Sequence, residues 1–329
     1  MIICRTPFRI SLFGGGTDYE EWFNGNKGTV ISMAINQYCY SSIRNLPNIH
    51  PFRYRLRYFK NEFKNKISDI KHKSIKAVLK EYAKNTDCLE IIHSADLPAL
   101  SGLGSSSAFT VSLINLIYAN NNKIITKRDL ARKAIHIERY KLKENVGFQD
   151  QYASAFGGFN IINFSKTQIS LDPVSISNTK IKDLLNNMIL YYTGYQRKAD
   201  KIEKKKISNI KNKYQYFKSI HDCAEEAKKI LYSNSKNLMT ELGFIMNESW
   251  QMKKNLSNLV SNSKIDDLIK FGLSNGACGA KILGAGGGGF ILYLTPNEKN
   301  KMKLLKKLSK FSIVNFAVDE LGSQILYRN

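Results

Sequence analysis

The chain opens with a run in which apolar and polar positions alternate, as they do in a half-buried β-strand. Residues 2–13 carry this pattern, and the run ends at Gly14-Gly15-Gly16, a sequence typical of a turn. Further runs rich in β-branched and aromatic residues predict more strands. They cover residues 30–43, 54–59, 89–93, 159–164, 168–171 and 188–193.

Helical spacing of apolar residues alternates with these strands. It predicts helices over residues 75–82, 105–118 and 127–140, long lysine-rich helices between residues 200 and 259, and a final β-α-β stretch over 279–318. Strands and helices do not follow one another in regular βαβ order, so the predicted class is α+β. The pattern changes character near residue 175, which predicts two domains, 1–175 and 176–329.

Composition fits an intracellular globular protein. The 329 residues are 43% hydrophobic, and no uninterrupted apolar stretch approaches the roughly 20 residues of a membrane span. The first residues read as a strand and not as a signal peptide. The five cysteines are scattered and form no CxxC pair, so reduced thiols are expected. We therefore expect a cytoplasmic protein with no membrane partner.

The formal net charge of +23 raises the question of a polyanionic partner. The lysines are spread along the chain, however, and runs such as Lys204-Lys205-Lys206 lie inside a predicted helix. No RRM, KH, helix-turn-helix or zinc-finger signature accompanies them. The pattern favours a solvated lysine-rich surface that attracts anionic metabolites and no nucleic-acid partner, although a basic RNA-binding protein stays as an alternative.

Three glycine-rich segments carry candidate chemistry. The first, residues 98–108, reads PALSGLGSSSA and leads directly into a predicted helix. Glycines there let the backbone approach a phosphate, and the helix N-terminus favours negative charge. The segment lacks the Gly-Lys-Ser/Thr ending of a Walker loop and the third glycine of a dinucleotide fingerprint. An ordinary helix cap is the alternative interpretation.

The second segment, residues 284–289, has five glycines in six positions between two predicted strands. Glycine weakens a strand, so a close backbone approach or a strained turn is expected, with a flexible hairpin loop as the alternative. In the third segment, residues 5–19, Arg9 and Asp18 flank the triple glycine. A carboxylate after a turn suits recognition of sugar hydroxyls, and an exposed hairpin with an Asx turn is the alternative.

Two carboxylates follow at a fixed spacing, Glu138 on a predicted helix and Asp150 in the segment GFQDQY, 150 − 138 = 12 positions later. Such a pair can hold Mg²⁺ and orient or deprotonate a hydroxyl group. Taken without its context, such a pair is usually just surface charge.

In this order, the four segments resemble those of the GHMP kinases, the superfamily that includes galactokinase, homoserine kinase and mevalonate kinase. The Pro-x3-Gly-Leu-Gly-Ser-Ser motif is matched by residues 98–106, and the resemblance runs from about residue 5 to 294. It implies an N-terminal domain of the ribosomal-protein-S5-like type, a ferredoxin-like C-terminal domain, and an ATP-dependent kinase with Mg²⁺ as cofactor. The sequence leaves the oligomeric state open.

The resemblance also implies roles for individual residues. ATP phosphates would be bound by Gly102, Leu103, Gly104, Ser105, Ser106 and Ser107. Ser106 with Glu138 would hold Mg²⁺, although the sequence leaves open which of the three serines reaches the metal. Asp150 would face the acceptor hydroxyl, with Arg9 keeping it ionised. The substrate would be contacted by Gly15, Gly16, Thr17, Asp18, Gly286, Gly287 and Gly288.

The substrate implied by the resemblance is a small-molecule sugar phosphate. Galactokinases carry Gly-Glu-His-Thr-Asp where this chain has Gly14-Gly15-Gly16-Thr17-Asp18, and the missing carboxylate and imidazole argue against galactose. The motifs are most similar to those of bacterial kinases that phosphorylate C1 of D-glycero-D-manno-heptose 7-phosphate. Arg197 and Lys198 are candidates for binding the phosphate. A fucokinase-like or galactokinase-like enzyme and a non-catalytic sugar or nucleotide sensor are the alternatives.

Overall fold

The structure is a computed structural model, and it describes residues 1–84, 88–196, 199–309 and 312–329. Within these residues the strands are β1 (Ile2–Phe13), β2 (Gly28–Asn45), β3 (Tyr54–Arg57), β4 (Asn61–Lys64), β5 (Leu89–Ala95), β6 (Phe159–Phe164), β7 (Ile169–Pro173), β8 (Met188–Tyr192), β9 (Gly279–Ile282), β10 (Phe290–Leu294), β11 (Ile313–Val314) and β12 (Gln324–Arg328).

The helices of the same residues are α1 (Glu20–Phe23), α2 (Lys73–Tyr82), α3 (Ser105–Asn120), α4 (Lys127–Ile135), α5 (Gln149–Phe156), α6 (Asn178–Asn186), α7 (Ala199–Ser208), α8 (Tyr214–Tyr232), α9 (Leu238–Lys254), α10 (Ser263–Ser274) and α11 (Glu298–Leu305). A π-helical turn, His136–Lys141, continues α4. No helix of the described residues has the length and apolar character needed to cross a bilayer.

The larger sheet is organised around the 18-residue strand β2. Strand β1 lies antiparallel along one side of β2, while β5 and β6 share the other side, β5 beside Cys39–Asn45 and β6 beside Gly28–Met33. The sheet has the order β12-β1-β2-β5-β3-β4, with β7 beyond β6. This arrangement aligns the last residues of β1 with the start of β2, so the Gly14–Gly16 turn projects from one edge of the sheet.

The smaller sheet is antiparallel with the order β11-β8-β10-β9. The predicted domain boundary near residue 175 lies between β7 and α6, where the chain leaves the larger sheet. The last strand nevertheless returns to that sheet, because β12 pairs with β1 with Ile2 opposite Arg328. The division into 1–175 and 176–329 stays a prediction. It assigns β12 to the second domain, although β12 is a strand of the larger sheet.

The two sheets share a continuous apolar core. Side chains at alternate positions of β1, Phe8, Ile10 and Leu12, pack with Leu242 and Met246 of α9 and with strands of the smaller sheet. The other face of β1 carries Arg9 and Ser11, which line a cavity between the two parts of the chain. Alternation along one strand therefore sets the core on one side and polar groups on the other.

Candidate active site

The cavity opens to solvent, and a water-sized sphere can occupy about 140 Å³ of it. It forms where six parts of the chain meet: the end of β1 with its glycine turn, the first turn of α3, the first turn of α5, helix α7, helix α9, and the loop between β9 and β10. Predicted site residues that line it are Arg9, Gly15, Gly16, Asp18, Gly102, Gly104, Ser105, Ser106, Ser107 and Asp150. The fold thus brings residues from distant parts of the sequence to one place.

Arg9 and Asp150 form a bidentate ion pair in the cavity wall. The Nε of Arg9 donates to Oδ1 of Asp150 at 2.8 Å, and its Nη2 donates to Oδ2 at 2.9 Å. The third guanidinium nitrogen donates to the carbonyl of Gly102 at 2.7 Å. This fork geometry fixes the carboxylate of Asp150 in orientation at the start of α5 and links it to the α3 loop.

The pKa of Asp150 is raised above its ordinary value. Desolvation by burial is the main cause, and the charge of Asp18 acts in the same direction. Arg9 opposes the rise through both charge and hydrogen bonds, and Lys206 opposes it through charge. Arg9 therefore lowers the pKa of Asp150, in the direction that the sequence predicts. Burial outweighs it, however, so the net shift is upward where the adjacent cation alone predicts a downward one.

The loop before α3 brings the three serines to the cavity, but not the side chain of Leu103. Gly104 precedes the helix in the left-handed region, with φ 75°, and places Ser105–Ser107 in the first turn. Leu103 does not line the cavity, because its side chain is buried in the core, and its carbonyl accepts a 3.0 Å hydrogen bond from the amide of Arg9. The exposed N-terminal turn of a 16-residue helix is suited to an anion.

Glu138 is held by Ser107 and Gln151. Its Oε2 accepts from the hydroxyl of Ser107 at 2.8 Å and from Nε2 of Gln151 at 2.5 Å. Ser106, the predicted partner, is exposed and lines the cavity next to Ser107. Glu138 is thus hydrogen-bonded to Ser107, and the role of Ser106 with Glu138 in holding Mg²⁺ stays a prediction. Glu138 lies in the π-helical turn, a feature that often marks a functional site.

The remaining oxygen of Glu138, Oε1, is buried and has no hydrogen-bond partner among the described residues. Burial, with the charge of Glu144, raises the pKa of Glu138 to about 7. An unpartnered carboxylate oxygen beside a serine hydroxyl is a hard oxygen donor set, which fits Mg²⁺ when phosphate oxygens complete the coordination. Within the described ranges, His, Cys, Asp and Glu side chains form no group of three or more that could hold a metal ion alone.

The glycine turn after β1 is fixed by Asp18 and Thr17. One carboxylate oxygen of Asp18 accepts from the amide of Gly16 at 2.8 Å, and the other accepts from the amide and the side chain of Gln149 at 3.2 and 3.1 Å. Thr17 does not line the cavity. Its hydroxyl donates to the carbonyls of Gly14 and Thr29, which holds the turn against β2.

The glycine-rich loop after β9 reaches the cavity through Gly284 and Ala285, and the predicted contacts Gly286, Gly287 and Gly288 do not line it. The loop instead packs backbone to backbone against the α3 loop. A Cβ on Gly102 would lie 2.6 Å from the carbonyl oxygen of Leu283, and one on Gly284 would lie 2.6 Å from Cα of Gly102. The glycines are needed for this close approach between the two loops.

Two polar side chains of the cavity wall have open hydrogen-bonding positions. Ser11 lies two residues after Arg9 on the same face of β1, and Gln149 begins α5. The Oγ of Ser11 and the Oε1 of Gln149 are buried and have no partner among the described residues. Both groups line the cavity and can accept hydrogen bonds from hydroxyl groups.

Sequence reasoning missed the side chains that α7 and α9 contribute. Lys206, which the lysine run assigns to a solvated surface, is 2% exposed, and Lys253 is 6% exposed. Both line the cavity, together with Glu203 and Tyr19. The available signal is helical spacing, because Lys206 lies four residues after the buried Ile202. Arg197 and Lys198, the predicted phosphate ligands, lie outside the described residues.

Two family models match the chain. The model for the GHMP kinases N terminal domain matches residues 70–158, and the model for the GHMP kinases C terminal matches residues 225–313. The first match spans α3 with its glycine loop, Glu138 and Asp150. The second spans α9, the glycine loop after β9 and most of the smaller sheet.

Similar proteins include sugar kinases. The chain is 29% identical to a D-glycero-alpha-D-manno-heptose 7-phosphate kinase of Campylobacter jejuni over 93% of this chain and 92% of that protein. It is 25% identical to a bifunctional fucokinase/GDP-fucose pyrophosphorylase of Arabidopsis thaliana over 72% of this chain and 23% of that protein. A solved D-glycero-D-manno-heptose 1-phosphate kinase from Bacteriodes thetaiotaomicron shares the fold, with a TM-score of 0.80, 22% identity and full coverage of both chains.

Proposed function

The chain belongs to the GHMP kinases and is an ATP-dependent sugar kinase, and from this premise we propose that it phosphorylates the anomeric C1 hydroxyl of D-glycero-D-manno-heptose 7-phosphate. The product is the 1,7-bisphosphate, an intermediate suited to nucleotide activation of the heptose for surface polysaccharide. The observation that carries the proposal is the Arg9–Asp150 ion pair, which lies in one cavity with the N-terminal turn of α3.

In the reaction, the sugar O1 forms a bond to the γ-phosphorus of ATP while the bond from that phosphorus to the β,γ-bridging oxygen breaks. ADP leaves, and the hydroxyl proton passes to Asp150 or through it to solvent. Phosphoryl transfer needs positioning and charge stabilisation more than covalent catalysis, so the rigid bidentate contact with Arg9 matters chiefly for orientation. Because burial raises the pKa of Asp150, its carboxylate is a stronger base than a solvated aspartate.

The nucleotide phosphates are assigned to the α3 loop, where Gly102, Gly104 and Ser105–Ser107 line the cavity. Backbone amides of the first turn and the helix dipole stabilise their charge. Glu138 and Ser107 are the residues that would hold Mg²⁺, which neutralises phosphate charge when it is bound. Their carboxylate and hydroxyl groups are already adjacent, 2.8 Å apart.

The choice of a heptose phosphate is supported by the similarity to the Campylobacter jejuni kinase and by the turn Gly14–Gly16, which has no side chains to exclude a larger sugar. Ser11 and Gln149 offer open acceptors for sugar hydroxyls. Asp18 contributes mainly by holding the turn and the start of α5, since three protein N–H groups already bind its carboxylate. Similarity to a plant fucokinase makes L-fucose the second candidate.

The test is release of ADP with Mg²⁺-ATP and a panel of acceptors, namely heptose 7-phosphate, free heptose, fucose, galactose and mevalonate. Anomer-resolved NMR of the product identifies the phosphorylated oxygen. We expect turnover of heptose 7-phosphate to the 1,7-bisphosphate with much lower activity on the free sugars. Turnover of an unphosphorylated sugar alone would keep the kinase assignment and refute the heptose phosphate.

A further inference from the structure

Two lysines are buried in the cavity wall, Lys206 on α7 and Lys253 on α9. Lysine is almost never fully buried unless its charge is compensated, because desolvating an ammonium group costs free energy. Their immediate neighbours differ: Lys205 is exposed, and Lys254 is partly exposed and lies 3.6 Å from Asp266. The burial is therefore specific to one lysine of each adjacent pair.

The other charged groups of the cavity wall have partners within the protein. Arg9 pairs with Asp150, Lys206 lies 2.7 Å from Glu203, and Asp18 accepts three N–H hydrogen bonds. Lys253 donates to the carbonyl of Gly284 at 2.5 Å. Among the residues that the structure describes, no carboxylate lies within salt-bridge distance of Lys253.

Lys253 is also surrounded by other cations. Desolvation by burial lowers the pKa of Lys253 well below its ordinary value, and the charges of Lys206, Lys281 and Arg9 lower it further, with Glu203 opposing them. The ligand-free cavity thus holds a lysine amine whose protonated form lacks a counter-ion. A dianion that enters the cavity would supply the missing charge and would favour the protonated form of Lys253.

We propose that Lys206 and Lys253 together bind the phosphate monoester of the acceptor sugar. The inference rests on the proposed function, which supplies an acceptor that carries a phosphate. Two ammonium groups on flexible stems suit a phosphate dianion, for which they act as point charges. The subsite is built by α7 and α9 of the C-terminal part of the chain.

The position of Lys206 favours the acceptor over ATP as the source of the phosphate, while Lys253 reaches the cavity beside Gly284 of the loop after β9. The Nζ of Lys206 lies 5.4 Å from the centroid of the Tyr19 ring, and the hydroxyl of Tyr19 donates to Glu203. Tyr19 directly follows the glycine turn and Asp18, which form the proposed sugar side of the cavity. The nucleotide phosphates already have the backbone amides and the dipole of α3.

The experiment compares wild-type protein with Lys206→Met and Lys253→Met, and with Lys205→Met and Lys254→Met as matched controls on the same helices. KM is measured for heptose 7-phosphate and, separately, for ATP. Loss of one charged contact should raise KM for the sugar phosphate about 10- to 100-fold in each buried-lysine variant, with KM for ATP unchanged. The two control variants should match wild type for both substrates.

A second readout is proton uptake, measured by calorimetry of heptose 7-phosphate binding at several pH values from 7 to 9, each in two buffers of different ionisation enthalpy. Wild-type protein should take up a proton on binding, and Lys253→Met should not. Lys253→Met removes a buried amine that has no carboxylate partner among the described residues, so its melting temperature should equal or exceed that of wild type. Lys253→Gln replaces it if the Met variant does not fold.

The outcomes separate the inference from the proposed function. Wild-type turnover of heptose 7-phosphate tests the function before any variant is compared. If wild type uses the sugar phosphate but the buried-lysine variants keep its KM, the inference alone is wrong. A rise in KM for ATP instead assigns the lysines to the nucleotide and also overturns it. If wild type uses only unphosphorylated sugars, both proposals are refuted.

Discussion

Replacing Glu138 with glutamine should make the stability of the ligand-free protein less dependent on pH. Glu138 is 1% exposed, and one of its carboxylate oxygens has no partner among the described residues. Its pKa rises from an ordinary value of 4.5 to about 7, chiefly because of burial. Between these pH values the folded protein binds more protons at this position than the unfolded chain does, so the free energy of unfolding falls as pH rises.

The size of the effect follows from the shift. A difference of about 2.5 pKa units, at 1.36 kcal/mol for each unit, corresponds to about 3 kcal/mol of stability lost by wild type between pH 4.5 and pH 7. Glutamine does not ionise, so the variant avoids this loss. The carbonyl oxygen of the introduced amide can still accept hydrogen bonds from Ser107 and Gln151, and any cost of its unpaired N–H groups is the same at every pH.

The assay is thermal unfolding of both proteins from pH 5 to pH 8 in buffers without divalent cations. From pH 5 to pH 8, the melting temperature of Glu138→Gln relative to that of wild type should rise by several degrees. The difference should reach its full size near pH 8. Glu226→Gln, which removes an exposed carboxylate from α8, is the control and should run parallel to wild type. Parallel curves for Glu138→Gln and wild type would refute the reasoning.

Three further substitutions test the site. Asp150→Asn should lower kcat about 1,000-fold and leave the Kd for ATP unchanged, and full activity would exclude Asp150 from the chemistry. Arg9→Met removes the group that opposes the raised pKa of Asp150, so the acidic limb of kcat/KM against pH should move to higher pH, because activity needs the ionised carboxylate. An unmoved limb would contradict the assignment. Gly102→Ala places a Cβ 2.6 Å from the Leu283 carbonyl at φ 85° and should lower the melting temperature, whereas Gly25→Ala, with nothing within 4 Å, should not.

Local patterns predicted most of the elements well. The strand over residues 2–13 and the helix from residue 105 begin where the structure places them, because the Gly14–Gly16 turn and the Gly102–Gly104 loop are strong local boundaries. The helix over 127–140 was predicted as continuous, and it changes to a π-helical turn at His136. Hydrophobic spacing does not distinguish these two backbone states, because both keep the same face toward the core.

Elements that depend on distant partners were missed. The strand β12 forms at the end of the chain because β1 offers it an unpaired edge, and α10 packs its apolar face on the smaller sheet through Ile265 and Ile269. Short segments of this kind have weak intrinsic preferences, and tertiary contacts decide their structure. The burial of Lys206 and Lys253 is hidden for the same reason, since a lysine on a helix is normally solvated and only the meeting of α7 and α9 with the larger sheet removes it from water.

The unsatisfied polar groups of the cavity indicate which ligands it can bind, independently of any comparison with related proteins. Buried polar groups are normally satisfied within a folded protein, so those left without a partner mark positions of ligand atoms. In the cavity wall they comprise two acceptors for hydroxyl groups, Ser11 Oγ and Gln149 Oε1, and one amine without a counter-ion, Lys253. Hydrogen-bonded to the cavity residue Ser107 is Glu138, whose buried Oε1 is suited to a cation. A polyhydroxylated acceptor, a metal-bound nucleotide and a second phosphate together satisfy all four. A free sugar leaves Lys253 uncompensated, which is the physical reason to expect a sugar phosphate.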